Sequence, residues 1–435
     1  MSPPSVNLDT TFERFLQELP VDYWQLAIEF KAFCRARKIK SPAQLRQVVL
    51  CYCGIDQVLR ETAGTFTLLE ERLSDTAIHK RLKACLPWVK ALLERMMGAA
   101  AAPLIHGHLR FIIVDGSTVQ GPGADGTWYR LPIAVDMVKL HLLHVTVTDK
   151  HEGEHLGYYP LQEGDVVVLD RGYNQAPMWI ERADQGVSLV VRYNPHSLNV
   201  YDAAGNKMDL DETLKATEAT ERCLPVQVRA QGEFIEGYVH ACRLPPAKAA
   251  EARRRVRAAA KKKGRTAQAR TLRLAEWVLI FTTLPPELLP TATLAALYQV
   301  RWQVELVIKR LKSLLDIDRL RAREHSPLAE LYLHGKLLYT WVLEKRARRR
   351  CGEHWNRLDR PRRATPWRVW KLLRQELATA ISGVLNWNLS RWHACLEVLQ
   401  ERPRQRQLQT LPERVNRLIA FCQAKGLSNI GEAGA

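Results

Sequence analysis

The sequence predicts an α/β protein: a mixed sheet flanked by helices, interrupted by a β-strand insertion, with helical regions at both ends. Three observations predict it. Apolar residues recur at three- and four-residue spacing before residue 104 and after Pro290, the period of amphipathic helices. Short apolar runs and alternating stretches fill residues 106–184, the texture of strands. A second strand-rich section runs from 187 to 284 with a basic helix inside it. A chain of 435 residues exceeds one ordinary core, and 46% hydrophobic residues can fill several. The predicted regions are a helical 1–104, a first α/β part 105–186, a β-rich insertion 187–284, a second α/β part 285–345 and a basic helical 346–435.

In the first region FERFLQEL, DYWQLAIEFKAFCRARK and PAQLRQVVLCYC read as helices. Ser74-Asp75-Thr76 is a candidate cap for AIHKRLKACLPWVKALLERMM. Its His79, Lys80, Arg81 and Lys83 suit a helix lying on DNA and a solvated face equally. RFIIVDGSTV predicts a buried strand running into a turn at Asp115-Gly116-Ser117. WYRLPIAVDMVKLHLLHVTVTD alternates as strands do. DVVVLDRGY repeats the first pattern, an apolar run followed by Asp170 and Gly172, and QAPMWIERADQG predicts a helix after it. SLVVRY, CLPVQVRA, FIEGYVHACRL and EWVLIFTTL predict four further strands. TATLAALYQVRWQVELVIKRLKSLL carries the strongest helical pattern in the chain.

Sixty-four Lys and Arg against 46 Asp and Glu give a net charge of +18. That excess favours a polyanionic partner, nucleic acid before an anionic membrane surface. Ten Lys or Arg and no acid lie between Arg253 and Arg273. Twelve more, interleaved with Trp355, Trp367 and Trp370, lie between Lys345 and Arg374. Such runs release counterions on a duplex, and their bland alternative is a solvated loop. No run approaches the roughly 18 apolar residues of a membrane span, and the first residues show no basic-then-apolar leader. Nine scattered cysteines, with a lone CxC at Cys51 and Cys53, fit reduced cytoplasmic thiols. His151-Glu152-Gly153-Glu154-His155 reads as a polar loop before a transition-metal cluster, with Glu154 a secondary candidate beside the site.

Two aspartates at strand ends carry the chemistry. Either one alone is a turn former beside glycine. Together, on neighbouring strands, Asp115 and Asp170 are placed to share a divalent cation, which prefers hard oxygen ligands. A third acid comes from the last strong helix. At ~100° per residue, Tyr298, Arg301, Glu305 and Lys312 fall at about 0°, −60°, −20° and −40°, opposite Val300, Val304, Val307, Ile308, Leu311 and Leu315. A plain i, i+4 ion pair of Glu305 with Arg301 or Lys309 explains part of this stripe. Asp316, also on the stripe, is the rival third acid.

The motifs D-G-S at Asp115, D-R-G-Y from Asp170 to Tyr173, and Y-x2-R-x3-E-x6-K from Tyr298 to Lys312 resemble the DDE transposases of bacterial insertion sequences. More narrowly they look like the family-four group with the Y-R-E-K signature, over roughly residues 106–345. The resemblance implies an RNase H-like domain split by the β insertion. It implies two-metal phosphoryl transfer with Mg²⁺, or Mn²⁺ in its place, held by Asp115, Asp170 and Glu305. It implies that Tyr298, Arg301 and Lys312 contact the backbone of the element end, with Arg171 in support. The implied partners are double-stranded DNA (terminal inverted repeats and target) and a second copy in a homodimeric synaptic complex. The implied setting is the nucleoid in the cytoplasm, with no membrane. In known members hairpin ends form and a Trp of the insertion holds a flipped base, a role for which Trp277 and Trp179 are candidates. A nuclease of the same fold without strand transfer, or an inactive DNA-binding derivative, are the alternatives.

Overall fold

The computed structural model describes residues 18–70, 73–100, 109–123, 126–352, 365–382 and 411–424. One nine-stranded sheet organises them. Its strands are β1 Arg110–Gln120, β2 Thr127–Asp136, β3 Leu142–Val145, β4 Thr148–Asp149, β5 Asp165–Leu169, β6 Ser188–Arg192, β7 Glu221–Ala230, β8 Glu233–Arg243 and β9 Trp277–Thr282. The order is β3-β2-β1-β5-β6-β9-β8-β7, with β4 paired to β2. β1, β2 and β3 form an antiparallel meander, and β5 and β6 add in parallel beside β1. This is a mixed sheet flanked by helices. The antiparallel β7–β9 meander joins at β6, so the insertion lengthens that same sheet.

Strand chemistry follows from this placement. All five residues of DVVVL in β5 are buried, as a parallel strand covered on both faces requires. In β1 the side chains alternate: Phe111 and Ile113 join one core, Ile112 and Val114 the other. The sequence reading starts its insertion at 187, and β6, which opens there, is hydrogen-bonded to β5 from Val166 opposite Ser188 to Leu169 opposite Val191.

Before the sheet stand α1 Tyr23–Glu29, α2 Pro42–Cys53, α3 Leu59–Leu69, α4 Asp75–Ala84 and α5 Leu86–Ala100. Most of FERFLQEL lies outside the described residues. Ser74 Oγ accepts from the Ala77 N–H at 3.3 Å, the expected cap. The single helix expected after it is two, joined at Cys85. Pro87, second residue of α5, has no N–H with which to continue the preceding ladder.

The later helices are α6 Ala176–Asp184, α7 Leu210–Lys215, α8 Pro246–Lys262, α9 Ala269–Leu274, α10 Thr291–Val300, α11 Trp302–Leu315, α12 Pro327–Cys351, α13 Pro366–Ser382 and α14 Leu411–Ala424. α12 packs against α2, α4, α5, α13 and β3, and runs unbroken across residue 345. Buried charges lock it there. Lys336 contacts Asp56, which also accepts from Tyr332 Oη at 2.7 Å. Glu344 Oε1 accepts from the Leu142 N–H at 2.7 Å. Arg346, with no exposed side-chain surface, pairs with Glu376 and lies 3.6 Å from Glu18.

This changes the reading of the two basic runs. In the first, Arg253 pairs with Glu276, Arg255 with Glu251, Arg270 with Asp209 and Arg273 with Asp211. In the second, Arg346, Arg349 and Arg350 answer Glu18 and Glu376, and Trp370 is fully buried under the Arg310 guanidinium. Trp355 lies outside the described residues. Part of each run is therefore engaged in ion pairs within the fold, while the net excess of cations over acids stays unbalanced. No helix among the described residues is long and apolar enough to cross a membrane.

Candidate active site

The site forms where β1 and β5 part. Ile113 pairs with Val168, so two residues further along each strand Asp115 and Asp170 stand level. Asp170 directly follows β5, as expected. Asp115 does not end its strand, contrary to the sequence reading. β1 continues to Gln120 because Gly116, Ser117 and Thr118 remain paired with Pro132, Leu131 and Arg130 of β2. Asp115 thus sits in mid-strand, held by one neighbour while the other strand has ended.

Each aspartate is oriented by the amide of a nearby glycine. Asp115 Oδ1 accepts from the Gly116 N–H at 2.8 Å, and Asp170 Oδ1 from the Gly172 N–H at 2.7 Å. Tyr159 Oη donates to the Asp115 carbonyl at 3.4 Å and lies 2.9 Å from Tyr173 Oη, linking mid-β1 to the turn after β5.

The long helix predicted from 291 to 315 is broken at Arg301, between α10 and α11. Arg301 N–H donates to the Tyr298 carbonyl at 3.1 Å and Val304 N–H to the Arg301 carbonyl at 3.1 Å, a tighter i→i+3 pattern. The tight turn aims Arg301 back at the sheet. Its Nη1 donates to Asp115 Oδ2 at 3.1 Å and its Nη2 to Glu305 Oε1 at 2.6 Å. The expected i, i+4 pair exists, and the same guanidinium also reaches the strand. One planar fork carries both carboxylates, a geometry Lys cannot supply.

Glu305 is thereby joined to Asp115. Asp316 is not: it caps the far end of α11 in a left-handed conformation, φ 48°. Eleven residues of helix separate the two acids, about 16 Å. Lys312 lies two turns beyond Glu305 and is half-buried. Tyr298 is half-buried on α10, and burial pushes its phenol up to about 12. Arg171 is exposed in the 3₁₀ turn after Asp170.

Burial raises the Asp115 carboxyl above its ordinary range, with Arg301 opposing and Asp170 adding to the rise. Burial raises Glu305 as well, again with Arg301 opposing. Glu154 is raised by burial, then by Asp170 and Asp115. Among the described residues no group of three or more His, Cys, Asp and Glu is placed to hold a metal ion. The chemistry of the donors suits a divalent cation all the same: they are hard carboxylate oxygens, and the Arg301 guanidinium occupies the cationic place between Asp115 and Glu305. The 151–155 stretch is a loop, as expected, and His155 Nδ1 only accepts from the Gly157 N–H.

Beside the acids an open cleft of about 970 Å³ is lined by Arg171, Arg192, His196, Lys248, Trp277 and Trp302. Trp179 is unavailable for stacking on a base. It is fully buried on Phe281, with ring centroids 4.8 Å apart. Trp277 is 5% exposed, with its ring under Arg243. The residue the sequence reading missed is Trp302, 42% exposed beside Arg301. The signal was present, since a wheel from Tyr298 puts position 302 at about 40°, at the margin of the polar stripe.

Comparison with known proteins identifies the family. The transposase DDE domain model matches residues 106–341. The transposase for insertion sequence element IS421 of Escherichia coli is 30% identical over 323 residues, 72% of this chain and 87% of that one. InsL of insertion sequence element IS186A, from Escherichia coli strain K12, is 30% identical over 322 residues with the same coverage. A piggyBac transposase chain from a synaptic complex with hairpin DNA aligns over 92% of this chain at TM-score 0.36 and 9% identity, too weak a likeness to bear on the fold. The chain belongs to the DDE transposase domain family, and its function is that of an insertion-sequence transposase, an enzyme of DNA cleavage and strand transfer. That family implies DNA binding and dependence on a divalent metal.

Proposed function

We propose that the chain moves its element by cut-and-paste, through in-line phosphoryl transfers at Asp115, Asp170 and Glu305. The observation that carries this reading is the Arg301 fork, which brings Glu305 of α11 onto the Asp115 strand. The three acids would hold Mg²⁺, with Mn²⁺ as substitute; when bound, such ions stabilise charge on the attacking and leaving oxygens. Arg301 is the bidentate phosphate clamp, able to exchange a carboxylate for a phosphate without changing shape. Tyr298, its phenol kept protonated, donates a hydrogen bond to the backbone. Lys312 supplies a point charge two turns on, and Arg171 another at the cleft mouth. The cleft over Trp277 and beside Trp302 is the receptacle for a displaced base of the element end.

The Y-R-E-K spacing supports placement in the family-four group. In this reading the helical N-terminal and basic C-terminal regions bind the terminal inverted repeats, two copies pair the ends, and the protein works on the nucleoid in the cytoplasm. The test is a joining assay with an element-end duplex, a supercoiled target plasmid and Mg²⁺. Joined product is expected. Cleavage without joining would make the chain a nuclease, and binding without cleavage an inactive derivative.

A further inference from the structure

Glu154 belongs to the polar loop between β4 and the 3₁₀ turn Leu156–Tyr158, yet its backbone is held firmly. Gln175 Nε2 donates to its carbonyl at 3.3 Å, and Leu156, two residues on, donates its N–H to Met178 Sδ at 2.9 Å. The side chain turns inward to the strand ends. A Cβ built on Gly172 would lie 1.6 Å from Glu154 Oε2 and 3.1 Å from Asp170 Oδ1. A Cβ built on Gly116 would lie 3.8 Å from Glu154 Oε1. The two oxygens of Glu154 therefore span the gap from the Asp170 turn to the Asp115 strand.

Gly172 thus has two tasks. Its N–H orients Asp170, and its bare Cα admits the Glu154 carboxylate. No donor among the described residues hydrogen-bonds to that carboxylate. Arg301 serves Asp115 and Glu305, and Arg130 Nε donates to the Lys150 carbonyl at 3.1 Å. Three carboxylates crowd one strand edge, and like charges so placed repel unless a cation joins them.

We propose that Glu154 is a fourth carboxylate of the catalytic centre, ligating a divalent cation together with Asp115 and Asp170 from the side opposite Arg301. This rests on the reading of Asp115 and Asp170 as metal ligands. The loop that looks like a failed His–Glu cluster then has a use in one residue only, Glu154, and its histidines have none in the site.

The test is a titration of the full-length protein with Mn²⁺, reading free Mn²⁺ by electron paramagnetic resonance, with thermal melts to show that every variant folds. Glu154→Gln is expected to weaken binding about tenfold or more. Glu154→Asp should weaken it less. Gly172→Ala should also weaken it, because its methyl takes the place of Oε2. Asp115→Asn is the reference for the site itself. If Asp115→Asn weakens binding and Glu154→Gln does not, Glu154 is no ligand and the proposal falls while the site stands. If neither weakens binding, or the wild type shows no saturable binding, the reading of the site falls with it.

Discussion

Replacing Arg301 by Ala separates two roles that the structure superimposes. The guanidinium is 16% exposed and carries Asp115 at 3.1 Å and Glu305 at 2.6 Å, themselves 17% and 32% exposed. Charge-assisted hydrogen bonds are worth roughly 1.5–3 kcal/mol each, and partial exposure calls for the low end, so the metal-free variant should lose about 2–4 kcal/mol. The two acids are then left without a counter-ion. Unit charges 4 Å apart at an effective dielectric of 20 interact by about 4 kcal/mol. A divalent ion approaching those carboxylates meets about twice that repulsion from Arg301, and roughly a sixth of it surviving screening is about 1.4 kcal/mol, a factor of ten. Calorimetric titration with Mn²⁺ in the absence of DNA should therefore show Arg301→Ala binding about tenfold tighter, while DNA cleavage is lost. Equal or weaker Mn²⁺ affinity, with an unchanged melting curve, would refute the idea that Arg301 stands in the cation's place.

Asp115, Glu154 and Glu305 all have carboxyls raised in the fold, so the stability they contribute is fully present below their unfolded pKa and is lost as pH rises through the folded values. Metal-free wild type should therefore lose stability relative to Asp115→Asn as pH rises above the ordinary carboxylate range, read as the difference between their melts, because the buried histidines lowered to about 4 (His141, His240 and His334) act equally on both proteins. Asp56→Ala removes the partner of the fully buried Lys336 and should cost about 3–5 kcal/mol, read by chemical denaturation, with the further change Lys336→Met restoring part of it. Trp179→Ala should cost about 3–5 kcal/mol, because the ring has no exposed surface, whereas Trp302→Ala should shift stability by no more than about 0.5 kcal/mol and act on the handling of DNA ends.

The strands and most helices were legible because one period holds over each of them. DVVVL, SLVVR and WVLIFT could only be buried strands, and all three lie side by side or one apart in the sheet. Asp115 was misplaced because an Asp-Gly-Ser triplet reads as a turn, and only the partner strand β2 shows that pairing continues through it. The break at Arg301 was invisible for a similar reason. Nothing in TATLAALYQVRWQVELVIKRLKSLL forbids one helix, and the tight turn is stabilised by a carboxylate 186 residues away. Part of the pairing in the basic runs was hidden because the acids are distant in sequence: Glu18 answers Arg349, and Asp211 answers Arg273. Glu154 was noticed as a loop acid, and its place follows from Gly172, a residue whose lack of a side chain carries no signal of what fills the space.

The central claim is the identity of the three acids, and one cleavage assay tests it most directly. Wild type, Asp115→Ala, Asp170→Ala, Glu305→Ala and Asp316→Ala are each given a labelled duplex containing the element end, with Mg²⁺ and separately with Mn²⁺, and the strands are resolved on a denaturing gel. Metal-dependent cleavage by the wild type and Asp316→Ala, and none by the other three, is the predicted result. Cleavage that survives in Glu305→Ala and disappears in Asp316→Ala would contradict it.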